Sequence, residues 1–319
     1  MRKTYFFYVD DVIFLFRDLC QKPPAHLFDH PFLAMLKDLH ERYGMRVQLN
    51  CFARTLYSHG TPEPYTIDQT PDTYREEWIA NSDWLRLAFH AKQEFPEYPY
   101  INATYEEMKA DYTFVRDEII RFAGRETFSD TTNIHFLPAS YAASKALVDC
   151  GVRILGTSVG EELPRDYDLS KLPKTMYDRL LQNRTEESSW VYGKAWDYGR
   201  EPIPDIKGYN HMTTAEHEVT RTEARLFYNP ELGVHYVDFN SDGLVLNANS
   251  IEEIEQILEQ AIRQNRIHVG FAMHEQYFHS GYADYQYNYA EKVETAIRKM
   301  TRNGYEPIFY EEYLPENCQ

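Results

Sequence analysis

The sequence predicts an α/β protein whose parallel strands close into a distorted (β/α)7–8 barrel, a single domain over residues 1–319 with an irregular insertion at about 160–250. Three observations predict it. Apolar β-type segments alternate with amphipathic helical segments along most of the chain, which is the pattern of a parallel sheet. The strand candidates number seven or eight, enough for closure. Neither G-x-G-x-x-G nor G-x-x-x-x-G-K-[ST] occurs, which removes the nucleotide-binding reason for an open doubly wound sheet.

Element by element, "YFFYV" (5–9) is aromatic and ends β-branched, as a buried strand does, and it runs straight into Asp10 and Asp11. "PFLAMLKDLHERYG" (31–44) has helical spacing and a terminal glycine. "MRVQLNCF" (45–52) alternates and is the second strand. "TPDTYREEWIANS" (70–82) opens with Thr70 as a cap and Pro71 at the first helical position. "LRLAFH" (85–90) is a strand. Residues 104–124 form a long amphipathic helix, opened by a Thr-x-x-Glu capping box and stopped by Gly124. Strand "NIHFL" (133–137), helix "SYAASKALVDCG" (140–151) and strand "VRILGTS" (152–158) continue the rhythm.

Over 160–250 the regularity fails in an acidic, aromatic, proline-containing stretch with short strand candidates "ARLFY", "VHYVDF" and "LVLNA"; this is the expected insertion. Helix 250–265, strand "HVGFAMH" (268–274), helix 289–304 and strand "YEPIFY" (305–310) complete the pattern.

Lys and Arg total 33 against 50 Asp and Glu, a net charge of −17. That balance argues against nucleic acid or an anionic membrane surface as partner, since both need basic patches. No segment approaches the ~18 uncharged apolar residues of a membrane span. Arg2 and Lys3 precede an apolar run, but Asp10 and Asp11 interrupt it and no small-residue cleavage site follows, so a cytoplasmic protein is expected. Cys20, Cys51, Cys150 and Cys318 are widely spaced and read as scattered thiols. Nothing in the composition excludes a homo-oligomer.

In a parallel sheet, chemistry sits where strands run out into loops. Read at those positions, the first strand delivers Asp10 and Asp11, strand 85–90 delivers His90, strand 268–274 delivers His274 followed by Glu275, and strand 133–137 carries His135. Imidazole nitrogen and carboxylate oxygen together are the ligand set of Zn²⁺ and similar divalent ions. Apolar Val12, Ile13, Leu15 and Phe16 place the acidic pair off an open surface, and buried carboxylates need a cation or hydrogen-bond donors. His90 and Glu94 stand four apart, so on a helical turn they would chelate one ion, whereas a flat loop would separate them. "HEQYFH" (274–279) fails the zinc-protease pattern H-E-x-x-H, because Phe278 stands four after His274. Each residue also has a plain structural reading: a solvated turn or helix cap for the acids, a hydrogen-bonded strand end for His90, a core position for His135.

At these residues the sequence resembles the polysaccharide deacetylase superfamily, whose fold is a distorted (β/α) barrel, over about residues 5–310. The resemblance implies that in "YVDD" Asp10 is the catalytic base and Asp11 a metal ligand. In "LAFHAKQE" it implies that His90 is a ligand, with Glu94 at the place of a second ligand histidine. In "HFLPAS" Pro138 keeps its place, but Phe136 stands where the family has the arginine that orients the base; Arg225 and Arg54 are the arginines available to replace it. In "FAMHE" His274 is the general acid. The family's Asp-x-x-x-Asp-Trp motif has no match in 160–250.

The resemblance implies a metal-dependent hydrolase acting on an acylated amine, an N-acetyl group, of a small sugar-like molecule. The implied cofactor is a divalent ion: Zn²⁺, or Mn²⁺ or Mg²⁺ because Glu94 would add a second carboxylate. Glu275, His135, Trp84 and Arg225 are the expected substrate contacts, with Trp84, Trp190 and Trp196 suited to stacking on a sugar. Two other readings remain: a hydrolase of another C–N or glycosidic bond on the same barrel, and a non-catalytic carbohydrate-binding barrel with an impaired metal site.

Overall fold

The computed structural model describes residues 2–56, 63–94, 99–100, 103–137, 139–158, 161–162, 206–207, 215, 226–240 and 244–312. The first strand, β1 (Thr4–Val12), is buried along its whole length, which is why it is apolar on both faces. Alternation splits it: Tyr5, Phe7 and Val9 join the main core under the helices. Phe6 and Tyr8 face a smaller interior cluster with Ile154, Val237 and Ala272.

Two sheets supply those contacts. In the first, β1 lies between β8 (His268–His274) and β2 (Val47–Phe52), with β3 (Leu85–Ala91) outside β2 and the two-residue β9 (Glu306–Pro307) beside the start of β1; every pairing is parallel. In the second, the order is β6 (Leu226–Asn229), β7 (Val234–Asn240), β5 (Ile154–Ser158), β4 (Thr131–Thr132), parallel except for the β6–β7 hairpin. Single parallel bridges tie the edge strands of the first sheet to residues outside the strands: Leu87 of β3 with Phe128, and Ala272 of β8 with Val245.

The protein is thus a mixed α/β fold with a parallel central sheet, and no closed barrel ladder forms among the described residues. The reason lies at the expected strand 133–137. Only Thr131 and Thr132 pair as a strand; beyond them Phe136 and Leu137 take φ +59 and +71, and a left-handed backbone cannot continue a ladder. Residues 226–240, expected within an insertion, form two strands of the second sheet, while most of 160–225 lies outside the described residues.

Seven helices stand among the described residues: α1 (Phe14–Gln21), α2 (Pro31–Tyr43), α3 (Arg75–Ala80), α4 (Tyr105–Ala123), α5 (Tyr141–Asp149), α6 (Ile251–Arg263) and α7 (Tyr289–Arg302). None is long and apolar enough to cross a membrane. Helix α4 has the capping box expected of it: Glu107 N–H donates to Thr104 Oγ1 and Thr104 N–H donates to Glu107 Oε2. Helix α3 is shorter than its segment: Tyr74 is its N-cap, and Thr70, expected as the cap, instead closes the 3₁₀ turn Ile67–Gln69.

Gly124, which ends α4, sits at φ +86, ψ 156, a region open to glycine alone. A Cβ there would lie 2.5 Å from Ile79 Cγ1. Gly124→Ala is therefore expected to destabilise by roughly 1–3 kcal/mol from backbone strain, before the clash is counted. Thermal unfolding checks this, and an unchanged midpoint would show that Ile79 and the helix end yield freely.

Candidate metal centre

The end of β1 is irregular. Its register against β2 slips between Val9 and Val12, and Asp11 takes φ +64, a conformation that Asp tolerates better than most residues. In a regular strand Asp10 and Asp11 would point to opposite faces. Here both approach one imidazole: Asp10 Oδ1 lies 3.9 Å from His90 Nδ1, and Asp11 Oδ1 lies 3.2 Å from His90 Nε2.

His135 completes the group. Its Nδ1 is 3.3 Å from Asp11 Oδ1 and 3.2 Å from His90 Nε2. One carboxylate oxygen and two imidazole nitrogens thus form a nearly equilateral triangle, and all three residues are buried. Ligands bound tetrahedrally at about 2.0–2.1 Å stand about 3.3 Å apart, so this is the spacing of three corners of a zinc-type site. Asp11 Oδ1 is buried and has no hydrogen-bond partner, an uncompensated acceptor that a cation would satisfy.

The outer nitrogens of both rings are already engaged. His90 Nδ1–H donates to the Asn133 carbonyl, and His135 Nε2–H donates to the Glu94 carbonyl at 2.9 Å. These bonds fix the tautomers, so the lone pairs of His90 Nε2 and His135 Nδ1 face the triangle. The clasp is reciprocal: the segment carrying each histidine supplies the carbonyl for the other, and His135 N–H also donates to the His90 carbonyl. Asp11 is oriented by Gln276, whose Nε2 donates to Asp11 Oδ2 at 2.8 Å. Burial works against the charged forms here, but the pairing prevails. His135, His274 and His90 hold the Asp11 carboxyl well below the ordinary carboxylate range, and Asp10 and Asp11 raise the pKa of His90.

Beside the triangle, Asp10 is gripped by two neutral amides. Asn50 Nδ2 donates to Oδ1 at 2.6 Å and Asn133 Nδ2 donates to Oδ2 at 3.1 Å, while Gln48 Nε2 donates to Asn50 Oδ1. The resemblance implies an arginine as the partner of Asp10; among the described residues its side-chain partners are these amides. Phe136 occupies the arginine position with its ring 4.5 Å from that of His135, Arg54 donates to Gln93, and Arg225 lies outside the described residues. His274, at the end of β8, donates from Nδ1 to Asn247 Oδ1 at 2.9 Å and directs Nε2 towards Asp11 Oδ2 at 3.9 Å.

The remaining expected residues are placed differently. The Glu94 carboxylate is not part of the triangle; its main-chain carbonyl is what meets His135, and His135, expected as a substrate contact, stands in the position foreseen for Glu94. Glu275 is fully buried and accepts from Ile13, Phe14 and Leu15 N–H at 2.7, 2.9 and 2.5 Å, so its carboxylate is consumed in capping α1 and does not face a substrate. Trp84 precedes β3 and so lies at the opposite end of that strand from His90, about 20 Å away along an extended chain. It is buried, stacked on His40 and bonded to Asn81. Trp190 and Trp196 lie outside the described residues. Asn50, Asn133, Asn247 and Gln276 escape a sequence reading, since an amide becomes informative only once its neighbour across the sheet is known.

No family model matches the sequence, and no curated protein matches it. Among solved structures, the chain is similar to a family 4 acetyl xylan esterase from Clostridium thermocellum in complex with a cobalt ion. The two are 10% identical over 97% of this chain and 89% of that one, with a TM-score of 0.44. It is similar to a T48 deacetylase with substrate, 10% identical over 98% of this chain and 90% of that one, TM-score 0.39. It is also similar to a 4-alpha-glucanotransferase from Thermococcus litoralis, 9% identical over 99% of this chain and 41% of that one, TM-score 0.47. With TM-scores below 0.5, these likenesses fix neither the architecture nor the chemistry of this chain, which rest on the distances above.

Proposed function

We propose that this chain is a metal-dependent hydrolase that removes an acyl group from an amine, an N-acetyl group of a small sugar-like molecule. The observation that carries the reading is the triangle of Asp11 Oδ1, His90 Nε2 and His135 Nδ1, with its unpartnered carboxylate oxygen; Asp10 lies 3.9 Å from the outer nitrogen of His90, and His274 Nε2 lies 3.9 Å from the other oxygen of Asp11.

A divalent ion fits this donor set, and Asp11, His90 and His135 would hold it. Two nitrogens and one oxygen favour Zn²⁺ over Mg²⁺, and the case for Mn²⁺ or Mg²⁺ weakens with the Glu94 carboxylate outside the triangle. When bound, such an ion polarises an acyl carbonyl and makes water more acidic. Asp10 takes the proton of the attacking water on its carboxylate, whose two oxygens are aimed by the Asn50 and Asn133 amides. Because these partners are neutral, they orient Asp10 without the charge of an arginine. His274 Nε2 delivers a proton to the leaving amine, with its ring held by Asn247 at Nδ1.

The test is elemental analysis of the purified protein, coupled to acetate release from N-acetylglucosamine oligomers before and after chelation. The reading expects about one zinc-type ion per chain and acetate release that stops on chelation and returns with metal. A protein that retains no divalent ion under any loading condition would overturn it.

A further inference from the structure

The imidazole assigned to the leaving amine, His274, is oriented by bonds that can run in one sense only. Asn247 lies in the 3₁₀ turn Leu246–Ala248, and its Oδ1 accepts from the His274 main-chain N–H at 3.2 Å. A main-chain N–H only donates, so it is the oxygen of the amide that faces His274. Nδ1, 2.9 Å from the same oxygen, must then carry the hydrogen of the neutral ring. That leaves the lone pair on Nε2, the nitrogen 3.9 Å from Asp11 Oδ2.

Asn247 is held in turn from its other side. Its main-chain carbonyl accepts from Gln286 Nε2 at 2.7 Å, and Gln286 Oε1 accepts from Lys292 Nζ at 2.8 Å. Here too each end permits one sense. A carbonyl only accepts and an ammonium only donates, so the Gln286 amide cannot flip. Gln286 N–H donates to the Tyr277 carbonyl, and the Tyr277 ring lies edge-on to His274 at 6.2 Å, so the links return to the same imidazole. Lys292 is poorly placed for stability alone. It is the fourth residue of α7, near the helix end where the dipole disfavours a cation, and it is buried. Burial lowers its pKa, against the pull of Glu253.

Resting on the hydrolase reading above, we infer that Gln286 and Lys292 are positioning residues for His274: through Asn247 they hold the imidazole with its hydrogen on Nδ1 and with Nε2 aimed for proton delivery to the leaving amine. They act through Asn247, and no contact with substrate is assigned to either.

Nitrogen-15 labelling of the histidines in the full-length protein reads the ring directly, with His274→Gln assigning its signals. In alkaline buffer the parent is expected to show His274 as the Nδ1–H tautomer. Gln286→Met, which cuts both links, is expected to give a mixture with the Nε2–H tautomer, and Lys292→Met the same mixture to a smaller degree. On the N-acetylglucosamine disaccharide, zinc-loaded Gln286→Met is expected to lose about tenfold in kcat and Lys292→Met less, with KM and metal content as in the parent. A lowered unfolding midpoint with tautomer and kcat unchanged would mean that the links serve the fold alone. An Nε2–H tautomer in the parent, or a shifted tautomer beside an unchanged kcat, would equally overturn the inference. Each of these results leaves the hydrolase reading standing. A parent that releases no acetate, yet shows the Nδ1–H tautomer and loses it in Gln286→Met, overturns the hydrolase reading and leaves the hold on the ring.

Discussion

Asp11→Ala is expected to leave the purified protein without stoichiometric metal and to lower kcat/KM for N-acetyl hydrolysis by about 10³-fold or more. An ion acting on a carbonyl and on water contributes several kcal/mol, and each 1.36 kcal/mol is about tenfold in rate. Alanine carries a second burden at this position, since the backbone stands at φ +64. Asp11→Asn separates the two effects: asparagine adopts the left-handed conformation readily, keeps the Gln276 contact within reach and removes only the charge. It is expected to unfold near the parent temperature yet bind metal far more weakly. Full occupancy in both variants would sink the site.

Glu275→Ala is expected to give the largest loss of stability. Helix α1 begins at Phe14, after Val12 and Ile13, and its N-cap, Ile13, has no side chain that can accept a hydrogen bond. The first N–H groups of a helix have no partner within it. Here one carboxylate from the far end of the chain satisfies three of them, and it also lies 3.4 Å from His279 Nε2. Removal leaves three buried donors unmet, a cost of about 3–5 kcal/mol, or on the order of 10 °C in unfolding temperature. Glu275→Gln, which keeps one acceptor oxygen, is expected to lose about half as much. A shift under about 2 °C for alanine would show that water or a neighbour replaces the carboxylate.

That residue illustrates what a sequence conveys and what it withholds. Buried parallel strands such as β1 and β8 are legible because both faces are apolar, β2 because it alternates, and α4 because its capping box and terminal glycine are local signals. Asp10, Asp11, His90 and His274 stand out as polar residues that break apolar runs at strand ends. The part of His135 is hidden by a wrong local expectation: "NIHFL" has strand composition, but its last two residues turn left-handed, and that turn carries the imidazole back to His90. Glu275 is hidden for another reason. A conspicuous acid beside a strand-end histidine suggests chemistry, and only the fold reveals the three amides, some 260 positions earlier, that use it up.

The exchange of carbonyls between His90 and His135 has an evolutionary consequence. At position 94 the working atom is the main-chain oxygen, which every amino acid supplies, so that letter can change from the histidine of the resembled pattern without unhooking His135. Chain length has no such latitude. One residue inserted between His90 and Glu94, or between Asn133 and His135, would move a carbonyl by roughly 3.3 Å along an extended backbone, farther than a hydrogen bond can stretch. The insertion would release the imidazole on the opposite segment, the one left unaltered. With respect to this bond, position 94 is therefore open to substitution while both spans are closed to insertion, and length polymorphism belongs outside them.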